Sequence, residues 1–392
     1  MKKVLALILA GLLLVSFAAC GNKEEKEDNN GGLAQGEGDY IEEANDKGRF
    51  QYAVNDEGDY EIVKYEPYSV SITNITLPDK VNDRNIVGIA ENAFKAENSL
   101  KSIVIPSTYS YIGDYAFYDC DSLEMVTIIE PKANEQGERQ PGLETIGKSA
   151  FESCDVLSNF KMPVDVKVVS EYMLKDCKAI GELDLSNVEQ IEKGAFFGCS
   201  ALKKVTVSDK MISATKEAFY GCDSLVYNVE GNLCYLGNDA NATILLVKAD
   251  DANIEKCAIS KTTKVVADYA FNDCALVTSI TLSDAVKSVK GNAFAECEAL
   301  KYNESENGLY LGTAENPYMV LIGLKATAIE DFKLNKATKI IVDTAFDGCT
   351  ILEDISFEGT AEEWNAISKI EKWNGDLTVN VKCSDKIIEV LG

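Results

Sequence analysis

The sequence predicts an α/β solenoid: short coils wound into a right-handed superhelix, with a parallel sheet on one face and short helical or turn segments opposite. Three observations predict it. The first is a Phe column, Phe94, Phe117, Phe151, Leu174, Phe196, Phe219, Phe271, Phe294 and Phe346, with most steps 22 or 23 residues long. The second is a Cys column in phase with it: Cys120, Cys154, Cys177, Cys199, Cys222, Cys274, Cys297 and Cys349, with Glu97 in the first copy. The third is a change of rhythm inside each copy. In Ile112–Ile128, Ile112, Ala116, Phe117, Cys120 and Leu123 lie on one face at helical spacing, whereas Val126 and Ile128 alternate with polar neighbours as in a strand. Neither half can bury its apolar side alone, so neighbouring copies must stack.

A period of 20 to 29 residues with one strand per copy is the mark of a leucine-rich-repeat solenoid. The pattern Ile-x-x-x-Ala-Phe-x-x-Cys-x-x-Leu-x-x-Ile-x-Leu, from Ile112 onwards, resembles the BspA-like class of this repeat over roughly residues 60–360. That resemblance implies a bacterial surface protein that attaches to, or recognises, macromolecules outside the cell.

Residues 1–19 read as a signal segment: Lys2 and Lys3, the apolar run Val4–Val15, then Ser16-Phe17-Ala18-Ala19 before Cys20. The cysteine suggests a lipoprotein signal, with Cys20 as the lipidated N-terminus, although Phe17 stands where Leu is usual. An ordinary cleaved signal is the alternative. Residues 20–39, rich in Gly, Asn and charge, form an acidic tether with too little apolar surface to fold. The chain is therefore expected outside the cytoplasm, held to the bacterial membrane by lipid alone.

Residues 40–80 are expected to cap the first coil, with strands at Phe50–Val54 and Tyr60–Tyr65, a turn at Asn55–Asp59, and another strand in Ser71–Pro78. Repeats fill 81–358. One 34-residue step contains the polar insertion Pro131–Gly142, read as a surface loop. Two 52-residue steps, near 230–262 and 305–337, resemble each other. Asn232–Gly237 matches Asn307–Gly312, Ile244–Ala249 matches Leu321–Ala326, and Thr263–Val266 matches Thr338–Ile341. Each predicts an added hairpin, with tips at Asn238–Ala242 and Thr313–Pro317. Residues 359–392 read as the closing cap, with Thr360 as N-cap and Glu363 completing a capping box. Trp364 and Trp373 there could stack on sugars, but covering the last coil is the preferred reading.

Composition limits the chemistry. With 38 basic and 64 acidic residues the net charge is −26, which repels nucleic acid phosphates. The chain has no His, so Ser-His-Asp and Cys-His catalysis and mixed Cys/His zinc sites are excluded. No EF-hand spacing and no CxxC occurs. The Cys column is expected to be buried thiol rather than disulfide or metal ligand. For Cys234 and Cys257, aligned with Leu309 and Phe332, buried thiols are preferred over a bridge. Gly142–Ser149 matches GxxxxGK[ST] but lacks the strand that should lead into it, so the match is read as coincidence. Glu182 and Asp184 could pair for acid–base work on glycosides, yet both are expected in solvent. No catalytic residue, metal or cofactor is assigned, and an enzyme is disfavoured.

Binding is then expected on the outward strand positions, chiefly Met125, Thr127, Asn159, Lys161, Glu182, Asp184, Lys204 and Thr206. That surface fits recognition of an extracellular or cell-surface protein, with polysaccharide as a second possibility. A solute- or polysaccharide-capturing lipoprotein and a purely structural envelope protein are the alternatives.

Overall fold

The computed structural model describes residues 40–369 and 373–391. The signal segment, Cys20 and the acidic tether lie outside the described residues. The fold begins with an antiparallel meander, Ile41–Asn45, Gly48–Val54 and Tyr60–Pro67. The third strand then pairs parallel with Arg84–Ile89 and starts the stack. Its first strand carries no alternating apolar pattern and was not expected from the sequence.

Most coils contribute two strands, on different sheets. A two-residue strand precedes the Ala-Phe pair, as at Tyr111–Ile112 and Thr145–Ile146, and these pair in parallel from coil to coil. The strand after the repeat's Leu is longer. Asn74–Thr76, Ser102–Ile105, Met125–Ile128 and Asn159–Phe160 form a four-stranded parallel sheet in that order. Side chains alternate as the sequence requires: Val126 is buried, Met125 and Thr127 exposed. The longer strands do not run as one ladder. They fall into blocks: Glu182–Leu185 with Lys204–Val207, Lys256–Ala258 with Ser279–Thr281, then Asp331–Leu334, Asp354–Phe357 and Val379–Lys382.

The segment expected to be helical or a turn forms turns, with one 3-10 helical turn among the described residues, at Lys216–Phe219. Around Phe117 the N–H groups of Tyr115, Phe117 and Asp119 donate to Lys148, Ala150 and Glu152 carbonyls of the next coil, at 2.9, 2.8 and 2.9 Å. The intervening N–H groups of Ala116 and Tyr118 close turns onto Gly113 and Tyr115. Alternate residues thus serve the coil and its neighbour. The backbone achieves this by entering the left-handed region twice per turn segment, at Tyr115 (φ 55°) and Asp119 (φ 61°), and likewise at Tyr172 and Asp176. A left-handed residue interrupts an α-helix. Helical side-chain spacing survives because consecutive turns also bring every third or fourth residue to one side.

Inside, the Phe column stacks. Phe94 and Phe117 have ring centroids 5.0 Å apart, and Phe117 and Phe151 5.1 Å with parallel planes. Leu174 interrupts the stack, which resumes at Phe196–Phe219. Tyr65 of the opening cap extends it to Phe94 at 5.3 Å. The thiols lie beside the rings, and most do more than fill space. Cys120 Sγ donates to the Phe94 carbonyl at 3.1 Å, and Cys154, Cys177, Cys199 and Cys222 repeat the bond to the Phe-column residue one coil earlier. All eleven cysteines in the described residues are free, Cys234 and Cys257 included.

The two long steps do carry matching hairpins. Asn228–Glu230, Leu233–Leu236 and Leu245–Ala249 pair antiparallel, as do Asn303–Ser305, Gly308–Leu311 and Val320–Leu324. Their bonds correspond: the Tyr235 hydroxyl accepts from Ser260 N–H, the Tyr310 hydroxyl from Asn335 N–H. One correction concerns register. Ile244 O accepts from Lys264 and Val265, whereas its counterpart Met319 O accepts from Lys339 and Ile340. Ile244 therefore matches Met319, not Leu321, and the shared Lys-Ala pairs are two residues out of step. Backbone bonding fixes the register; a two-residue likeness does not.

At the far end, Ala361–Ala366 is an α-helix with Thr360 and Glu363 forming the expected capping box. Trp364 and Trp373 are both buried, 5.6 Å apart, with Trp373 5.5 Å from Phe346. They continue the aromatic stack as a lid and are not offered to a sugar. A last strand, Ile387–Val390, pairs antiparallel with Val379–Lys382.

Candidate interaction surfaces

Two surfaces stand out, one expected and one not. On the sheet face the structure exposes Met125, Thr127, Asn159, Lys161, Glu182, Asp184 and Lys204, with Thr206 half-buried. Alternation explains this, since their neighbours Val126, Phe160, Leu183 and Val205 fill the core. The row is nevertheless divided. Met125 and Asn159 are cross-strand partners, with the Asn159 amide nitrogen 3.7 Å from Met125 Sδ. Glu182 faces Lys204, and Asp184 faces Thr206, on the separate two-stranded block. Lys161 lies just beyond its strand. Asp184 accepts from the N–H and hydroxyl of Ser186, so it braces its own turn.

Other motifs resolve structurally. Within Gly142–Ser149, Thr145–Ile146 is a strand, so no phosphate-cradling loop can form; Lys148 Nζ instead lies 2.7 Å from Glu171. The insertion Pro131–Gly142 is exposed and tied back: Arg139 reaches Asp165 at 2.6 Å and Glu130 at 3.5 Å. The Arg139 guanidinium, with the Gly142 N–H, holds the Asp165 carboxyl below the usual range.

The unexpected surface follows the turn segments. Two adjoining hollows share Tyr172 and Lys175; one is bounded by Tyr115 and Tyr118, the other by Phe197 and Tyr220. They join into a shallow trough along the solenoid axis. Lys95 Nζ stands 5.1 Å from the Tyr118 ring centroid and 5.6 Å from that of Tyr115. Lys148 and Lys175 approach Tyr172 at 5.8 and 5.5 Å. Three lysines of the trough are also ion-paired, Lys148 with Glu171 and Lys175 with Glu152 at 2.7 Å each, and Lys193 with Glu217 at 3.5 Å. Small residues make room for the rings. Gly194 has φ +62°, and a Cβ there would stand 2.2 Å from Tyr172 Cε1. The signal was in the sequence: aromatic residues at two positions flanking the Phe column, two before it and one after.

A family model for the BspA type leucine rich repeat region matches residues 61–140, 134–243, 249–312 and 324–369, in six copies. The chain belongs to this family. Members of the BspA type leucine rich repeat family are typically cell-surface proteins, and among the described residues no helix is long and apolar enough to cross a membrane. The chain is also similar, at low identity, to solved structures. One is a leucine rich cell surface protein from Faecalibacterium prausnitzii A2-165: 21% identity, TM-score 0.41, covering 88% of this chain and 94% of that one. Another is a leucine-rich repeat protein from Bacteroides ovatus: 17% identity, TM-score 0.30, covering 87% and 99%. A third is the T. pallidum leucine rich repeat protein: 16% identity, TM-score 0.34, covering 64% and 87%. No curated protein matches the chain.

Proposed function

We propose that this protein is a non-catalytic recognition module at the bacterial cell surface, anchored by lipid on Cys20, whose exposed sheet face binds an extracellular or cell-surface protein. The observation that carries this reading is the outward row on a fully packed stack. Side chains such as Glu182, Asp184 and Lys204 stand in solvent while their strand neighbours are locked in the core. Such a face is rigid before contact, so little conformational entropy is lost on binding. It is shallow and mixed in charge, which suits a protein surface better than a small molecule.

The test uses the full chain against host matrix proteins and bacterial surface proteins. Replacing both Glu182→Lys and Asp184→Lys is expected to weaken capture of the true partner by about tenfold or more. Unchanged capture of every partner found would remove the sheet face from the proposal. The anchor is tested separately: Cys20→Ser is expected to shift the protein from the membrane fraction to the soluble fraction, and a variant that stays on the membrane would rule out lipidation there.

A further inference from the structure

We propose that the trough along the turn segments is a second binding surface, for an uncharged linear glycan. Its pitch is the first support. Six successive coils contribute to it, from Lys95 through Tyr118 and Tyr172 to Tyr220, at about 4.8 Å per coil. One pyranose with its bridging oxygen is about as long as one coil is thick. Tyr118, Tyr172 and Tyr220 sit on alternate coils, with the coil centred on Phe151 presenting Lys148 and Glu152 between the first two and the coil centred on Phe196 presenting Lys193 and Phe197 between the last two. A β-linked chain with two-fold symmetry turns the same ring face outward at every second sugar. The tyrosines at that interval, with Phe197 beside the last of them, would meet apolar C–H faces, and the lysines and carboxylates of the trough would meet hydroxyls.

Charge and backbone bonding exclude the rivals. Three of the trough's four lysines, Lys148, Lys175 and Lys193, are already matched by Glu171, Glu152 and Glu217. Lys95 alone stands over rings without an ion pair among the described residues, and the chain carries a net charge of −26, so a polyanion gains little there. An extended peptide adding as a strand needs free backbone partners. Here the N–H groups of Tyr115, Tyr172 and Asp176 are spent on the neighbouring coil. Recognition by side chains alone, of a ligand rich in hydroxyls, is what remains.

The experiment titrates the full chain with cellohexaose, N-acetylchitohexaose and their disaccharides, with a polyproline peptide as competitor. Binding is read by saturation-transfer NMR on the ligand protons. At least one hexasaccharide is expected to bind, about tenfold or more tighter than its disaccharide, because several coils contribute. The double variant Phe197→Ala, Tyr220→Ala should lose that binding; both residues are about two-fifths exposed, 39% and 40%, outside the buried Phe column, so the variant should still fold, with a lowered unfolding midpoint. The Glu182→Lys, Asp184→Lys variant should bind the glycan as before, which separates this surface from the sheet face. Absence of binding by both hexasaccharides would overturn the proposal. So would binding that ignores chain length, or displacement by polyproline. If the double variant does not fold, transfer from aromatic protein protons in the unaltered chain decides the same question.

Discussion

Cysteine in the repeat column satisfies two demands at once. Cys177 is fully buried against the aromatic stack, and its Sγ donates to the Phe151 carbonyl at 3.1 Å. Alanine would fit the space without the bond, and leucine would overfill it. Its apolar character was legible from the column alone. The donated bond was not, since it depends on where the previous coil places a carbonyl. Gly194 shows the same division. As a glycine in a turn it is unremarked in the sequence, yet the Tyr172 ring occupies the space its Cβ would take. Gly194→Ala is expected to destabilise the protein by roughly 1–3 kcal/mol, combining the left-handed φ with the displaced ring. Urea unfolding measures it, and an unchanged midpoint would show that the ring moves freely.

Among the elements, the closing cap was the most readable. Its helix start is written locally, as Thr360 with Glu363 three residues on, and both reciprocal bonds form at 3.2 and 2.7 Å. Thr360→Ala should cost about 1 kcal/mol. Because Trp364 and Trp373 are the only tryptophans and both are buried in the cap, the loss should show as an earlier red shift in tryptophan fluorescence than in far-UV dichroism. Coincident shifts with an unmoved midpoint would refute the capping role. The turn segments were the least readable element. Tyr115, Ser149, Tyr172 and Tyr269 all take left-handed φ, though none is a residue that announces it. Inter-coil hydrogen bonds from their N–H groups hold Tyr115, Ser149 and Tyr172 there, to partners 21 to 33 residues away in sequence.

At the scale of the whole molecule, burial of so many thiols makes stability depend on pH. Burial pushes Cys222, Cys257 and Cys297 up to about 12 and Cys234 to about 11, from ordinary values near 9. Cys154, Cys177 and Cys199 rise as well, also by burial. Raised folded-state values mean that the unfolded chain loses these protons first. Their contribution is therefore complete below about pH 9 and declines between 9 and 12, at about 1.4 kcal/mol per pH unit for each thiol. Lys369, lowered by burial to about 8, works the other way but is a single group. Urea midpoints should thus fall steeply above pH 9, and Cys222→Ala should make the fall shallower. A midpoint independent of pH up to 11 would contradict the buried-thiol column.

By itself the sequence determined the repeat, the inward Phe and Cys columns, the doubled hairpins and the closing helix. Each is set by periodicity or by residues within one turn of one another. Only the tertiary structure decided that the segments opposite the sheet are turns rather than α-helices, that thiols donate hydrogen bonds, that the sheet face is divided into blocks, and that tyrosines and lysines from six coils line a trough. Those outcomes depend on bonds and contacts between coils, and such pairings exist only once the coils have stacked.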